Sequence, residues 1–462
     1  MRISWWLLSL TICTLPWTRA LPAAESGNFK AGVAARVITP PEGLWMAGYA
    51  HRNKPAEGKV HDLFVKALAL EDPAGARLVL VTSDLIGLPR ELSESVAAEV
   101  HRRTGLPRDR LLLTASHTHC GPVLRGSLLD MYDLTPDQEK KIAAYTVQLQ
   151  TRMVETVVAA LADLKPARLA MGAGTASFAI NRRQQTPKGV IIGENPKGPV
   201  DRSVPVLRVQ TPEGRLRAVV FGYACHNTTL DFYQWCGDYA GFAQAFIEEK
   251  HPGALALFWI GCGADANPTP RGPLEVCRQH GRELAAAVEE VLQRPLTPVH
   301  GPTAARYALL SLPLDRVPTR EQLQADLSSG ERAVPHRAAR LLKILDAGGK
   351  IADHYPSYPV QVWRFGHDLL WIALGGEVVV DYDLRLKKEL HNEPTVWITA
   401  YANDVMAYIP SVRVLQEGGY EADTSMVYYG MPARWAPAIE EKIVGKVHDL
   451  VQETQPKPGR ER

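Results

Sequence analysis

The 462-residue sequence has little net charge, few cysteines and no long apolar run beyond its N-terminus, and each shortage removes a class of function. A formal charge of +2 leaves no basic footprint for nucleic acid and none for an anionic membrane surface. Six cysteines are present; Cys13 falls in the N-terminal leader, and Cys120, Cys225, Cys236, Cys262 and Cys277 are an odd set that cannot pair completely. No CxxC occurs, which argues against a four-cysteine zinc module. An exported chain is permitted disulfides, and Cys225 with Cys236 is one short loop closure, with buried free thiols the default. There is no Walker G-K-[ST] and no G-x-S-x-G serine elbow. After the leader, nothing reaches the roughly 18 apolar residues of a spanning helix.

What remains is an ordinary globular composition, 46% apolar and 22% charged, with material for a large core. The opening "MRISWWLLSLTICTLPWTRALPAAES" combines Arg2, an apolar stretch from Trp5 to Trp17 and small residues from Ala20 to Ala24. That pattern predicts a signal peptide over 1–23 and a soluble, secreted or periplasmic mature protein, with a retained anchor as the alternative. Short β-like runs then alternate with amphipathic ones, beginning with "FVKALAL", "RLVLVTSD", "ELSESVAAEVHRRTG" and "RLLLTAS". The rhythm predicts an α/β fold, a mixed β-sheet core with flanking helices, in one catalytic domain over 28–452 followed by a polar tail at 453–462. The Arg- and Leu-rich region from Pro302 to His354 reads as an insertion or lid, helical in part.

In open α/β sheets functional residues gather where strands finish. After "LLLTAS" come His117 and His119; after "RAVVFGYAC" comes His226; after "LLWIALGG" comes Glu377; after "TVWITAYAN" come Asp404 and Tyr408. If the strand continues through "ASHTHCGP", His117 and His119 share a face by the period of two. Imidazole is a preferred Zn²⁺ ligand, and a catalytic zinc usually takes three protein ligands and keeps a position open. His226 and Glu377 are available to complete such a set. Each residue also has a structural alternative: His226 as a cap, Glu377 at the positive end of its helix, Tyr408 as a core aromatic. The stretch "WIGCGADANPTPRG" reads as a tight active-site turn. Cys120 adjoins the histidines, but on a strand it points to the opposite face, which argues against a Cys/His nucleophile.

These residues carry a family resemblance. "ASHTHCGP" resembles the "THTHSGP" signature of the neutral, non-lysosomal ceramidases; "YACHNTTL" with "GDYAGFA" is similar to their second histidine segment, and "INRR" to their Asn-Arg element. "GGEVV", "ANDVMAYIPS", "GGYEADTS" and "WMAGYA" resemble further family segments, in the same order across nearly the whole mature chain. The resemblance implies zinc ligands His117, His226, Glu377 and Tyr408, with His119, Arg182 and Tyr420 lining the site beside the metal. It also implies a water attacking the amide of an N-acyl sphingoid base, to give a fatty acid and an amine. Any membrane contact would come through a lipid substrate, and the oligomeric state is left open. Two departures stand out. The family's "GDVSPN" serine is replaced in "GADANP" by Ala266 or Asn267, which rules out that serine as a nucleophile and leaves a metal-activated water untouched. The family's C-terminal β-sandwich is not expected in this chain.

Other metal hydrolases with HxH fit less well. A metallo-β-lactamase-like site wants H-x-H-x-D-H, whereas Cys120, Gly121 and Pro122 follow His119, and barrel amidohydrolases place HxH on their first strand. A secreted metal-binding protein without turnover, on the same fold, is the alternative from a different class.

Overall fold

Strands that are apolar on both faces need cover on both sides. The computed structural model describes residues 29–128 and 130–456; the expected signal peptide and most of the tail lie outside the described residues. The central mixed sheet runs in the order Leu255–Ile260, Leu216–Tyr223, Ser203–Gln210, Lys165–Thr175, Phe29–Val37, Phe64–Glu71, Arg77–Ser83 and Leu111–Ala115, with the short Thr297–Val299 beside Lys165–Thr175. Pairing is antiparallel except at the two edges, where Leu255–Ile260 lies parallel to Leu216–Tyr223 and Leu111–Ala115 parallel to Arg77–Ser83.

Parallel neighbours require a crossover. The helix Arg90–Thr104 supplies one and Asp238–Lys250 the other, so each sheet edge ends in a βαβ unit. The long helix Pro136–Ala162, started by a capping box at Thr135 and Gln138, and Leu274–Leu292 complete the cover. The α/β class and the mixed sheet with flanking helices are as the sequence predicts.

A second sheet has the order Thr303–Pro313, His354–Phe365, Leu369–Leu374 and Val396–Thr399. It corrects the reading of 302–354 as an insertion. Thr303–Pro313 pairs antiparallel with His354–Phe365 along nearly its whole length, so both ends of the region belong to the fold. Only the helices Arg320–Asp326 and Ala333–Asp346 stand apart, around a small cluster of Leu323, Ala338, Leu341 and Leu342. Arg and Leu obscure the strand because burial along it does not alternate between faces, with only Thr303, Ala305 and Leu312 buried.

The sheets are stitched at the place where chemistry is expected. Gly261, after one edge strand, bridges to Thr399, and Thr114, on the other, bridges to Ala402. The strand ends bearing His117 and His226 are thereby drawn together, and Thr118 bridges directly to Asn227. All five cysteines described are buried and free, so Cys225 and Cys236 are not bridged. Among the described residues no helix is long and apolar enough to cross a membrane.

Gly32 shows how closely the cover is seated. A Cβ there would lie 2.0 Å from the carbonyl oxygen of Ala160, at the end of the long helix. Gly32→Ala is expected to cost about 1–3 kcal/mol in denaturant unfolding, because the helix backbone itself must shift. A change under about 0.5 kcal/mol, the range of ordinary surface substitutions, would contradict this packing.

Candidate metal centre

The strand Leu111–Ala115 stops before the two histidines, and His117 takes a left-handed backbone with φ 62°. His117 and His119 therefore do not converge through strand alternation; a turn brings their Nε2 atoms to 3.1 Å. Two further elements complete the meeting. His226 follows Leu216–Tyr223. Glu377 and Tyr408 lie opposite each other in a short parallel bridge, Glu377–Val378 against Tyr408–Ile409.

The hydrogen bonds fix the imidazole tautomers. His117 Nδ1 lies 2.6 Å from the carbonyl oxygen of Ile86, and His226 Nδ1 2.9 Å from that of Gly263. A carbonyl can only accept, so both Nδ1 atoms carry the proton and both Nε2 atoms present lone pairs. Each of those Nε2 atoms lies 3.2 Å from Glu377 Oε2, and the Tyr408 hydroxyl lies 3.2 Å from His226 Nε2. The Tyr408 hydroxyl can donate, but the two Nε2 atoms and Glu377 Oε2 meet as acceptors facing acceptors, in a buried site where His117, His226, Glu377 and Tyr408 are each at most 3% exposed. Such a set is stable only around positive charge.

The donor set fits a zinc ion. At Zn–N and Zn–O distances of about 2.0–2.1 Å, the edges of a tetrahedron are about 3.3–3.4 Å, and the observed separations sit at that scale. His117, His119 and His226 alone bring ligand atoms within 4.8 Å of one another. His119 thus lies as close to the centre as the expected ligands. Its Nδ1 is buried without a hydrogen-bond partner, and Gly48, at φ 105°, leaves the space its ring occupies: a Cβ there would be 2.4 Å from Nδ1.

Burial pulls the His119 pKa well down, aided by the neighbouring His117 and His226. Burial and then the Arg182 charge pull His226 down to about 4, so both are neutral imidazoles near pH 7. For Glu377, burial alone would raise the carboxyl; it is drawn below the ordinary carboxylate range by positive charge at His117 and His226, a place that a bound cation fills when both imidazoles are neutral.

Arg182 and Tyr420 also reach the site. Arg182 Nη2 donates to the Tyr408 hydroxyl at 3.0 Å, Nη1 lies 3.2 Å from His226 Nε2 and donates to Asn267 Oδ1 at 3.3 Å, and Nε donates to Glu421 at 2.7 Å. Tyr420 stacks edge-on to Tyr408, with ring centroids 5.4 Å apart. The seven residues that the resemblance assigns to the site, His117, His119, Arg182, His226, Glu377, Tyr408 and Tyr420, come together. Asp404 does not: its carboxylate accepts from Tyr355. Cys120 is buried, burial pushes its thiol pKa up, and its Sγ faces the carbonyl of Leu230, which leaves no thiolate nucleophile.

Other residues of the site carried no role in the sequence reading. The Tyr401 and Tyr429 hydroxyls donate to Glu377. Glu421, within "GGYEADTS", holds Arg182 and Arg183 together. Arg52 is fully buried and donates to the carbonyls of Ala47, His119 and Phe232, fixing the histidine turn. "WMAGYA" and "YEADTS" mark these segments, but not which side chain in them does the work.

A cavity of about 190 Å³ opens beside the histidines, lined in part by His119, Arg182, Asn267, Tyr408 and Tyr420. A family model described as neutral/alkaline non-lysosomal ceramidase, N-terminal, matches residues 29–303. Neutral ceramidase A of Dictyostelium discoideum is 24% identical over 282 residues, which cover 55% of this chain and 38% of that relative. The match thus spans well under half the relative's length. A solved ceramidase complexed with C2 superposes with a TM-score of 0.73 at 19% identity, covering 94% of this chain and 76% of that one. Neutral ceramidase from Pseudomonas aeruginosa superposes with a TM-score of 0.71 at 21% identity, covering 93% and 75%. At these identities the likeness is one of fold.

Glu421 is the group on which the Arg182 side of the site depends. Burial would raise its pKa, yet Arg182 and Arg183 hold it below the ordinary carboxylate value. Its contribution is therefore full above the unfolded pKa of about 4.3 and is lost as pH falls through the lower folded value. Glu421→Gln, which strands a buried guanidinium, is expected to cost about 3 kcal/mol in urea unfolding at pH 7, a deficit that narrows as pH falls below about 4. An unchanged stability at pH 7 would contradict the arrangement.

Proposed function

Because the chain belongs to the neutral/alkaline non-lysosomal ceramidase family, we propose that it is a zinc-dependent amidase cleaving an N-acylated amine or lipid of the ceramide kind. The observation that carries this reading is the meeting of two imidazole lone pairs and one carboxylate oxygen at 3.2 Å, next to His119 and Tyr408, which line a cavity large enough for an amide. His117, His226, Glu377 and Tyr408 would hold the ion, with Tyr408 the unusual member of the set. Zinc bound there supplies a Lewis acid that brings the pKa of water toward about 7.

The remaining steps belong to the chain. His119, neutral and buried at the cavity wall, takes a proton from the attacking water and delivers it to the amide nitrogen as the C–N bond breaks. The water oxygen is left on the acyl carbon with its second proton, so one amide and one water give a carboxylic acid and an amine. Arg182, with its charge secured by Glu421, and Tyr420 face the developing oxyanion and orient the carbonyl. Ala266 or Asn267 stands at the family's serine position, and neither offers a hydroxyl nucleophile, in keeping with direct attack by water. Residues 28–452 act as the catalytic unit, and the leader pattern at 1–23 supports export to a secreted or periplasmic location.

Metal analysis of the purified protein and turnover of N-acyl amines are expected to move together. One zinc per chain is expected in the wild type, little in His117→Ala or His226→Ala, and chelator-sensitive release of fatty acid. His119→Ala should keep its metal and lose about 10²–10⁴-fold in kcat, the usual range for general acid–base catalysis. Full activity in metal-free protein would overturn the proposal, and metal-loaded protein that releases no fatty acid would leave the binding-protein reading in its place.

A further inference from the structure

The two arginines lining the cavity differ in what is left of their charge. Arg182 is largely committed: Glu421 balances its charge, and Glu421, Tyr408, His226 and Asn267 take four of its five N–H groups, leaving one for the substrate carbonyl. Arg271 is not. Its Nε donates to the carbonyl of Thr228 at 2.7 Å and one Nη donates to the Tyr49 hydroxyl at 3.2 Å. These bonds fix it to the turn after His226 and to the tyrosine whose ring packs on His119, centroids 4.8 Å apart. They use two of the five donors of a guanidinium. Among the described residues no carboxylate pairs with Arg271, and none lines the cavity.

A fixed, unneutralised guanidinium at the mouth of a pocket is a fork for a planar anion. The lining offers both kinds of contact: Thr228, Asn267 and Arg271 for a charged group, Met131 and Ile192 for hydrocarbon. We propose that the substrate carries a carboxylate on its amine portion, as an N-acyl amino acid does, and that Arg271 binds it. This rests on the amidase reading of the same cavity and narrows it, since a sphingoid base offers a neutral hydroxyl at that position.

The test compares N-dodecanoylglycine with N-dodecanoylethanolamine on the metal-loaded enzyme. The wild type is expected to favour the glycine conjugate in kcat/KM by about tenfold or more, the scale of one charge-assisted hydrogen-bonded pair. Arg271→Gln should erase most of that ratio and Arg271→Lys should keep part of it. Calorimetric binding of the two ketone analogues, in which CH2 replaces the amide N–H, separates recognition from turnover. Tighter binding of the acidic analogue that Arg271→Gln abolishes upholds the anion site even where neither amide is cleaved, a result that counts against the amidase reading alone. Equal affinity for both analogues, or a preference that survives in Arg271→Gln, overturns the proposal.

Discussion

The structure is organised around a repulsion that a cation must resolve. Two Nε2 lone pairs and a carboxylate oxygen meet at 3.2 Å in a site closed to bulk water. Left uncompensated, buried groups of one polarity cost about 3–5 kcal/mol, a large fraction of the stability of a typical domain. The fold tolerates the cluster because it fixes every member from behind. Ile86 and Gly263 hold the imidazoles by their Nδ1 protons, and Tyr401 and Tyr429 hold the carboxylate. With tautomers and rotamers set in advance, little ordering is left to be done when the ion or the substrate arrives.

Around that centre the charges are layered. Arg182 stands between the metal-site acceptors and Glu421, and Glu421 in turn reaches Arg183. Arg52 fixes the histidine turn through the backbone carbonyls of Ala47, His119 and Phe232, and among the described residues no carboxylate forms a salt bridge with it. The two βαβ edges and the second sheet serve this arrangement by delivering the ligands from three separate parts of the chain to one place.

The fold was largely legible because its strands are continuous apolar runs and its helices amphipathic, so periodicity and burial agree. The Thr303–Pro313 strand was the exception: its burial does not alternate between faces, and the Arg and Leu on it read as helix or loop. At the site, strand ends pointed to His117, His226, Glu377 and Tyr408, and the meeting of His117 with His119 was foreseen for the wrong reason. A left-handed residue, which sequence patterning does not reveal, does what alternation was expected to do. Glu421, Tyr401, Tyr429 and Arg52 were not assigned because their roles consist of contacts between segments as many as 239 positions apart. No local spacing encodes such contacts.

X-ray absorption at the zinc edge of the metal-loaded protein is the most direct examination of this account. It predicts a shell of nitrogen and oxygen scatterers at about 2.0–2.1 Å, with the multiple-scattering signature of at least two imidazoles. A sulfur scatterer at about 2.3 Å, or a shell without histidine, would place the ion among the buried cysteines or elsewhere and contradict it.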